Sequence, residues 1–144
     1  MKAGVASLAV VALMLAASAL AAAPKPMSLD DSSNFLMDPA TAEKIWKENT
    51  PARVLKLYPS RKFRFVSQVS GGFTEGKTCV VTARAMLLPV VRLPIQGTKV
   101  VYAPVKSATA FDAAANLSRE QCQELARTRL EDAVQSIAAS LAAS

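Results

Sequence analysis

The hydrophobic pattern begins with an uncharged apolar run at the N-terminus. One basic residue, Lys2, precedes it, and residues 3–23 are almost entirely Ala, Val, Leu, Met and other small side chains. A basic start, an apolar stretch and a small-residue exit, here Ala19 and Ala21, are typical of a secretory signal peptide. We therefore expect residues 1–21 to be cleaved off. The alternative is an uncleaved membrane anchor, because the run approaches the ~20 residues that span a bilayer.

The pattern after the leader predicts a polar segment and then a helix. Residues 22–37 are rich in Pro, Lys, Ser and Asp, so we expect a flexible lead-in without packing contacts. Asp38 followed by proline is a favourable helix start, and Ile45 and Trp46 supply apolar anchors. A short N-terminal helix is therefore predicted over residues 40–48.

Beyond this helix the hydrophobic period changes to two. Phe63, Phe65 and Val69 fall on one face, with polar residues between them, which is the alternation of a half-buried strand. A glycine-containing segment, residues 71–76, follows, and the alternation then resumes, so the pattern predicts a β-hairpin. A third strand is predicted over residues 98–105, near a sheet edge because prolines bracket the region.

The C-terminal helix is the clearest element in the sequence. Ser118 and Gln121 have the spacing of a capping box, and apolar residues recur at three- and four-residue steps from Cys122 to Leu141. About 120 residues remain after the leader, enough for one domain with its own core. We expect a single α+β domain over residues 38–144. It should have two layers, an antiparallel sheet of about three to four strands with the long C-terminal helix on one face, and a short N-terminal helix.

The two cysteines, Cys79 and Cys122, are predicted to form a disulfide. An even pair in an exported chain favours this bond. Cys79 lies in register with the apolar face of its strand, and Cys122 begins the apolar stripe of the C-terminal helix. We therefore expect the bond to join the helix layer to the sheet layer.

One motif suggests nucleotide chemistry. Gly71, Gly76, Lys77 and Thr78 match the pattern G-x-x-x-x-G-K-T, in which backbone amides hold phosphate groups. That chemistry requires a helix after the motif, whereas the β-branched residues that follow favour a strand. We interpret the motif as a hairpin turn and keep nucleotide binding through residues 71–78 as a weaker alternative.

Basic residues are concentrated in the middle of the chain. The net charge is +6, and residues 53–106 contain ten lysines and arginines against one acid, Glu75. Such a surface attracts anions; the alternative is a solvated face whose charge serves solubility. The candidate binding residues are the cations expected on the outward face of the hairpin and an aromatic anchor at its turn: Lys62, Arg64, Lys77, Arg84 and Phe73.

The chain offers little for catalysis. It has no histidine, and neither a nucleophile–base pair nor a metal-ligand cluster is evident, so we expect no catalytic residues, metal or cofactor. Nucleic acid is not expected as a partner, because aromatic residues for stacking are few. No membrane-spanning segment is expected after cleavage.

The hypothesis that fits best is a small binding or adaptor protein of the cell envelope. We expect it in the periplasm or, second, outside the cell, with an envelope protein or an anionic envelope polymer as its partner. The alternative from another class is a structural component that self-associates through an uncovered strand edge. The sequence leaves the partner's identity and the oligomeric state open.

Overall fold

A computed structural model describes residues 26–93, 97–100 and 103–144 of the chain. It confirms the predicted α+β class. The predicted signal peptide, residues 1–21, lies outside the described residues. The elements in chain order are β1 (Ser28–Asp30), α1 (Pro39–Asn49), α2 (Ala52–Leu57), β2 (Phe63–Phe73), β3 (Thr78–Leu93), β4 (Gly97–Val100), β5 (Lys106–Ala115) and α3 (Arg119–Ala142).

Within these described ranges, four strands form the main sheet, in the order β1-β2-β3-β5. The β2–β3 hairpin is antiparallel, as predicted. β3 and β5 are also antiparallel, whereas β1 is parallel to β2. β4 pairs antiparallel with the far end of β3, from Val90 to Leu93. The sheet is therefore mixed and not purely antiparallel, because a strand preceding α1 joins its edge.

The structure differs from the predicted lead-in at its second half. Ser28–Asp30 form β1, and Leu36 and Met37 are 3% exposed within the main core. The backbone N–H of Ser33 also donates to the carbonyl oxygen of Val69 at 2.8 Å. A three-residue strand has no alternation of its own, and its hydrogen-bonding partner β2 lies more than thirty residues away. Because the composition of residues 22–37 is polar, the sequence pattern did not predict that residues 28–37 pack against the domain.

β5 is a second element that the sequence pattern did not indicate. Half of its ten residues are alanine, a residue depleted in strands. The predicted third strand, residues 98–105, overlaps β4 and ends where β5 begins; its residues 101–102 lie outside the described residues. Lys106–Ala115 form a strand because all ten residues pair with β3 and because α3 packs against them.

The predicted helix starts are confirmed. In α1 the Asp38 carboxylate accepts from the Thr41 N–H at 2.9 Å. In α3 the Ser118 hydroxyl accepts from the Gln121 N–H at 3.1 Å, and the Gln121 side chain accepts from the Ser118 N–H at 2.7 Å. These bonds satisfy amides that have no partner within a helix, which fixes where each helix begins.

The main core lies between the sheet and its helices. The apolar stripe of α3 packs against β3 and β5, and α1 packs beside it. Trp46 is fully buried there; its indole N–H donates to the Ser67 hydroxyl at 2.8 Å, and its ring centroid lies 5.0 Å from that of Phe65. The bond pairs the buried indole N–H with the buried hydroxyl oxygen, so burying these two polar groups costs little.

The predicted disulfide is present. Cys79 of β3 and Cys122 of α3 are both fully buried, and their Cα atoms lie 5.8 Å apart. The bond joins the start of the long strand to the first turn of the long helix. It therefore links the two layers, as the sequence pattern indicated.

Candidate functional site on the outer sheet face

The sheet has an inner face, which packs against the helices, and an opposite side that we call the outer face. Odd-numbered residues of β2 and β3, such as Val69 and Val81, belong to the main core, so their even-numbered neighbours point away from it. Strand register extends both faces across β1 and β5. The outer face consists of Leu29, of Arg64, Val66, Gln68, Ser70 and Gly72 in β2, of Val80, Thr82, Arg84, Met86 and Leu88 in β3, and of Ser107, Thr109, Phe111 and Ala113 in β5.

One end of the outer face is apolar and buried. Val66, Met86 and Leu88 are at most 4% exposed and form a small cluster separate from the main core. The sequence pattern predicted a polar outward face for this hairpin, because the prediction rested on the apolar alternation of the inner face. Apart from Leu29 of β1, which is 41% exposed, the exposed part of the outer face thus lies toward its other end and on β5.

Arg64 lies beside this apolar cluster and is only partly exposed. Its partner across the β2–β3 pair is Leu88. The guanidinium donates to the carbonyl oxygens of Ser60 and Phe63, the latter at 3.2 Å. These bonds hold the side chain over the turn that precedes β2. Some of the N–H donors of Arg64 are therefore already used within the fold.

Arg84 occupies the middle of the outer face and is exposed. Its register neighbours are Gln68 on β2 and Thr109 on β5, and its side chain makes no ion pair within the described ranges. Phe111 lies one diagonal step away and is 63% exposed. A guanidinium without an ion pair, a hydroxyl, an exposed aromatic ring and the Gln68 amide therefore share one patch, which we call the Arg84 patch. The Gln68 amide donates to the Asp31 carboxylate at 3.3 Å, so one acidic group borders this patch.

The other predicted site residues lie elsewhere. Lys62 is exposed just before β2, whereas Lys77 is in the hairpin turn at the opposite end of the strands, about 33 Å away for an eleven-residue strand. Arg64 and Arg84 share the outer face but lie four residues apart in register, about 13 Å. The four predicted cations therefore do not form one cluster.

Phe73 is exposed at the turn end of β2, as the sequence pattern suggested, but it does not belong to the outer face. Its register partner is Cys79, on the inner side. Its ring packs edge-on against Phe35 at 6.1 Å, and the Arg119 guanidinium lies 4.9 Å from the Phe35 ring. This arrangement covers the start of α3 near the disulfide, so Phe73 has packing partners there.

The glycine-rich motif forms a hairpin turn. Lys77 has a positive φ of 57°, and its N–H donates to the carbonyl oxygen of Thr74 at 3.0 Å. Thr78, the residue that would bind the metal ion in a phosphate loop, begins β3. A phosphate loop needs the first turn of a helix at this point, and these residues do not form one. Gly71 is also required by the hairpin itself, because a Cβ there would overlap the carbonyl oxygen of Val80.

The carboxyl groups with displaced pKa values have structural explanations. Burial raises the pKa of Asp30, partly offset by the Ser32 hydroxyl, which donates to it at 2.6 Å. Hydrogen bonds from Thr41 lower the pKa of Asp38, the cap of α1. Neither group is aimed into the Arg84 patch. Among the described residues no three potential metal-ligating side chains lie close enough to hold an ion.

Comparison of the chain with protein-family models, with curated proteins and with solved structures finds no match. The disulfide is consistent with an exported protein. None of the helices in the described ranges has the length and hydropathy needed to cross a bilayer. Arg84 could be identified from the sequence through its charge, whereas Thr109 and Phe111 could not, because β5 was not predicted.

Proposed function

We propose that this protein is a small exported binding module of the cell envelope, whose Arg84 patch contacts an acidic segment of a protein partner. The observation that carries the proposal is the composition of the outer face. Its strands carry Arg64 and Arg84, and the Asp31 carboxylate beside them accepts from the Gln68 amide at 3.3 Å. Within the described residues Arg84 is exposed and makes no ion pair, so its charge is not neutralised by a salt bridge there. The disulfide supports export, because such bonds persist in oxidising compartments.

The chemistry of the patch favours an acidic protein over a purely anionic polymer. A guanidinium binds a carboxylate with two parallel hydrogen bonds, and the Thr109 hydroxyl beside it offers a further donor. Phe111 adds exposed apolar area next to this charge. Arginine and aromatic residues are enriched at the centres of protein interfaces, whereas a polymer of phosphates or sugar acids has less use for the aromatic ring.

Binding is a better match than catalysis for the side chains that are available. The chain contains no histidine, and the displaced carboxyl pKa values arise from a helix cap, from burial and from exposed hydrogen bonds. A surface-exposed arginine on a rigid strand suits recognition of a fixed charge. We therefore propose a binding role without an enzymatic activity or a cofactor.

The test is capture of a partner from an envelope extract, repeated over a series of salt concentrations. The protein is produced by export of the full chain, so that processing and disulfide formation occur as in the cell. Arg84→Ala is compared with Arg53→Ala, which removes another exposed arginine, in α2. Loss of a charge-assisted pair costs about 1.5–3 kcal/mol, so Arg84→Ala should weaken capture about tenfold or more while Arg53→Ala leaves it unchanged.

The outcomes separate the two kinds of partner. A defined protein that is retained by the wild type and lost with Arg84→Ala supports the proposal. Capture of anionic glycan or lipid alone, abolished by moderate salt, would assign the patch to an envelope polymer instead. Equal capture by the two arginine variants would show that the Arg84 patch is not the binding site.

A further inference from the structure

β5 forms one edge of the main sheet, and the geometry shows which of its backbone groups are unused. Within the described part of the chain its strand partner is β3. The Asn116 N–H donates to the carbonyl oxygen of Lys77 at 3.2 Å. Since hydrogen-bonded positions alternate along an antiparallel pair, the even-numbered residues of β5 bond to β3. The odd-numbered residues direct their N–H and C=O groups toward the free edge.

Part of this edge is already blocked. The Ala113 N–H donates to the Asp112 carboxylate at 2.8 Å, so that amide is not available to another strand. Asp112 is also 3.7 Å from the Arg129 guanidinium, which helps to hold it. The open stretch of the edge is therefore centred on the exposed residue Thr109, with Ser107 and Phe111 on either side.

We propose that this open stretch pairs with the same stretch of a second copy of the chain, forming a two-fold dimer about Thr109. An antiparallel strand centred on Thr109 places Ser107 of each copy opposite Phe111 of the other. All three open positions then make hydrogen-bonded pairs, and the blocked Ala113 amide lies outside them. A two-fold contact of this kind closes on itself and does not grow into a fibre.

The side chains in this register are complementary. Lys106 of each copy stands directly opposite Asp112 of the other, and opposite charges across a strand pair stabilise it. Between them, Ala108 faces Ala110, and these small side chains let the backbones approach. This self-complementarity is what selects a second copy over an unrelated extended segment as the occupant of the edge.

Such a dimer is a form of the self-association predicted from the sequence, with a defined strand and register. It does not depend on the proposed partner of the Arg84 patch. The dimer joins two four-stranded sheets into one continuous sheet, with the two outer faces side by side. Because the strand contact is small, we expect a reversible dimer with a dissociation constant between about 1 µM and 1 mM.

Disulfide trapping tests the register directly. Both native cysteines of the chain are already bonded to each other, so a single introduced thiol is unambiguous. Thr109→Cys places the two Cα atoms about 5.5 Å apart across the axis, within the range for a disulfide. Ala113→Cys is exposed on the same edge, but in this register it lies about 27 Å from its copy, eight residues along the strand. The expected result is a covalent dimer with Thr109→Cys and little with Ala113→Cys.

Sedimentation equilibrium of the unmodified protein provides the second measurement. It should show a concentration-dependent dimer, and Thr109→Lys, which sets like charges opposite each other, should raise the dissociation constant severalfold. Ser70→Lys adds the same charge to an exposed outer-face position of β2 and should leave it unchanged. A monomer up to 1 mM, or equal trapping of the two cysteine variants, would overturn the proposal. A thiol-linked complex with a different protein alone would also overturn it.

Discussion

The disulfide should supply a large share of the domain's stability. Cys79 and Cys122 are 43 residues apart in sequence, and closing a loop of that size lowers the entropy of the unfolded chain. The chain-entropy treatment gives about 4 kcal/mol at 25 °C. The free energies of unfolding of small domains are about 5–15 kcal/mol. Losing the bond should therefore remove between a quarter and most of this free energy.

The assay is thermal unfolding of the oxidised protein and of the double variant Cys79→Ala/Cys122→Ala. Alanine is preferable to serine, because both sites are fully buried and an unpaired hydroxyl there would add its own penalty. For a domain of about 120 residues the entropy of unfolding converts 4 kcal/mol into a fall in Tm of about 15 °C. Reduced wild-type protein is the matched control, since it removes the bond without changing the sequence.

The outcome is decisive in either direction. A fall of about 15 °C in both the reduced protein and the double variant supports the loop-closure argument. If the double variant melts within a few degrees of the oxidised protein, the bond contributes little and the reasoning is refuted. A fall in the variant alone would show that packing around the two sulfur atoms, and not loop closure, is what the substitution removes.

Three further substitutions test the local structure. Asp38→Ala removes the cap of α1 and should lower the free energy of unfolding by about 1 kcal/mol near neutral pH. Because the pKa of Asp38 is lowered in the folded state, the stability difference between the variant and the wild type should be complete above the unfolded pKa of about 3.9 and should disappear as the pH falls through the folded-state pKa. Denaturant titration at several pH values measures this difference. Gly71→Ala should prevent the hairpin from closing, because the new Cβ overlaps a carbonyl oxygen of β3, whereas Gly76→Ala has space and should change Tm by no more than a few degrees; yields and circular dichroism distinguish them. Trp46→Phe leaves the Ser67 hydroxyl buried without its donor and should cost about 1–3 kcal/mol, with Ser67→Ala as the variant that removes the other partner; equal stability of Trp46→Phe and the wild type would contradict the importance of this bond.

The elements that could be predicted are those that carry their own local signals. α1 and α3 begin at Asp38 and Ser118, where side chains cap the first turn. The β2–β3 hairpin was predicted from alternation around a glycine-rich turn. In each case the residues that determine the element lie within a few positions of each other.

The elements that were missed depend on partners distant in sequence. β1 is a strand because β2 offers it a parallel neighbour, and β5 is a strand despite its alanines because β3 and α3 hold it. The outer face was only partly anticipated for the same reason. A period of two on the inner side did not show that Val66, Met86 and Leu88 form a second buried cluster behind it.

Trp46 is the only tryptophan in the chain, and its burial against Ser67 has a practical consequence. Its fluorescence reports on one place, the contact between α1 and the inner side of the sheet. Unfolding should shift the emission to longer wavelength as water reaches the indole. A ligand that binds to the opposite side of the sheet without altering the core should leave the emission unchanged. A spectral shift on binding would therefore show that the ligand changes the packing around Trp46 on the inner side.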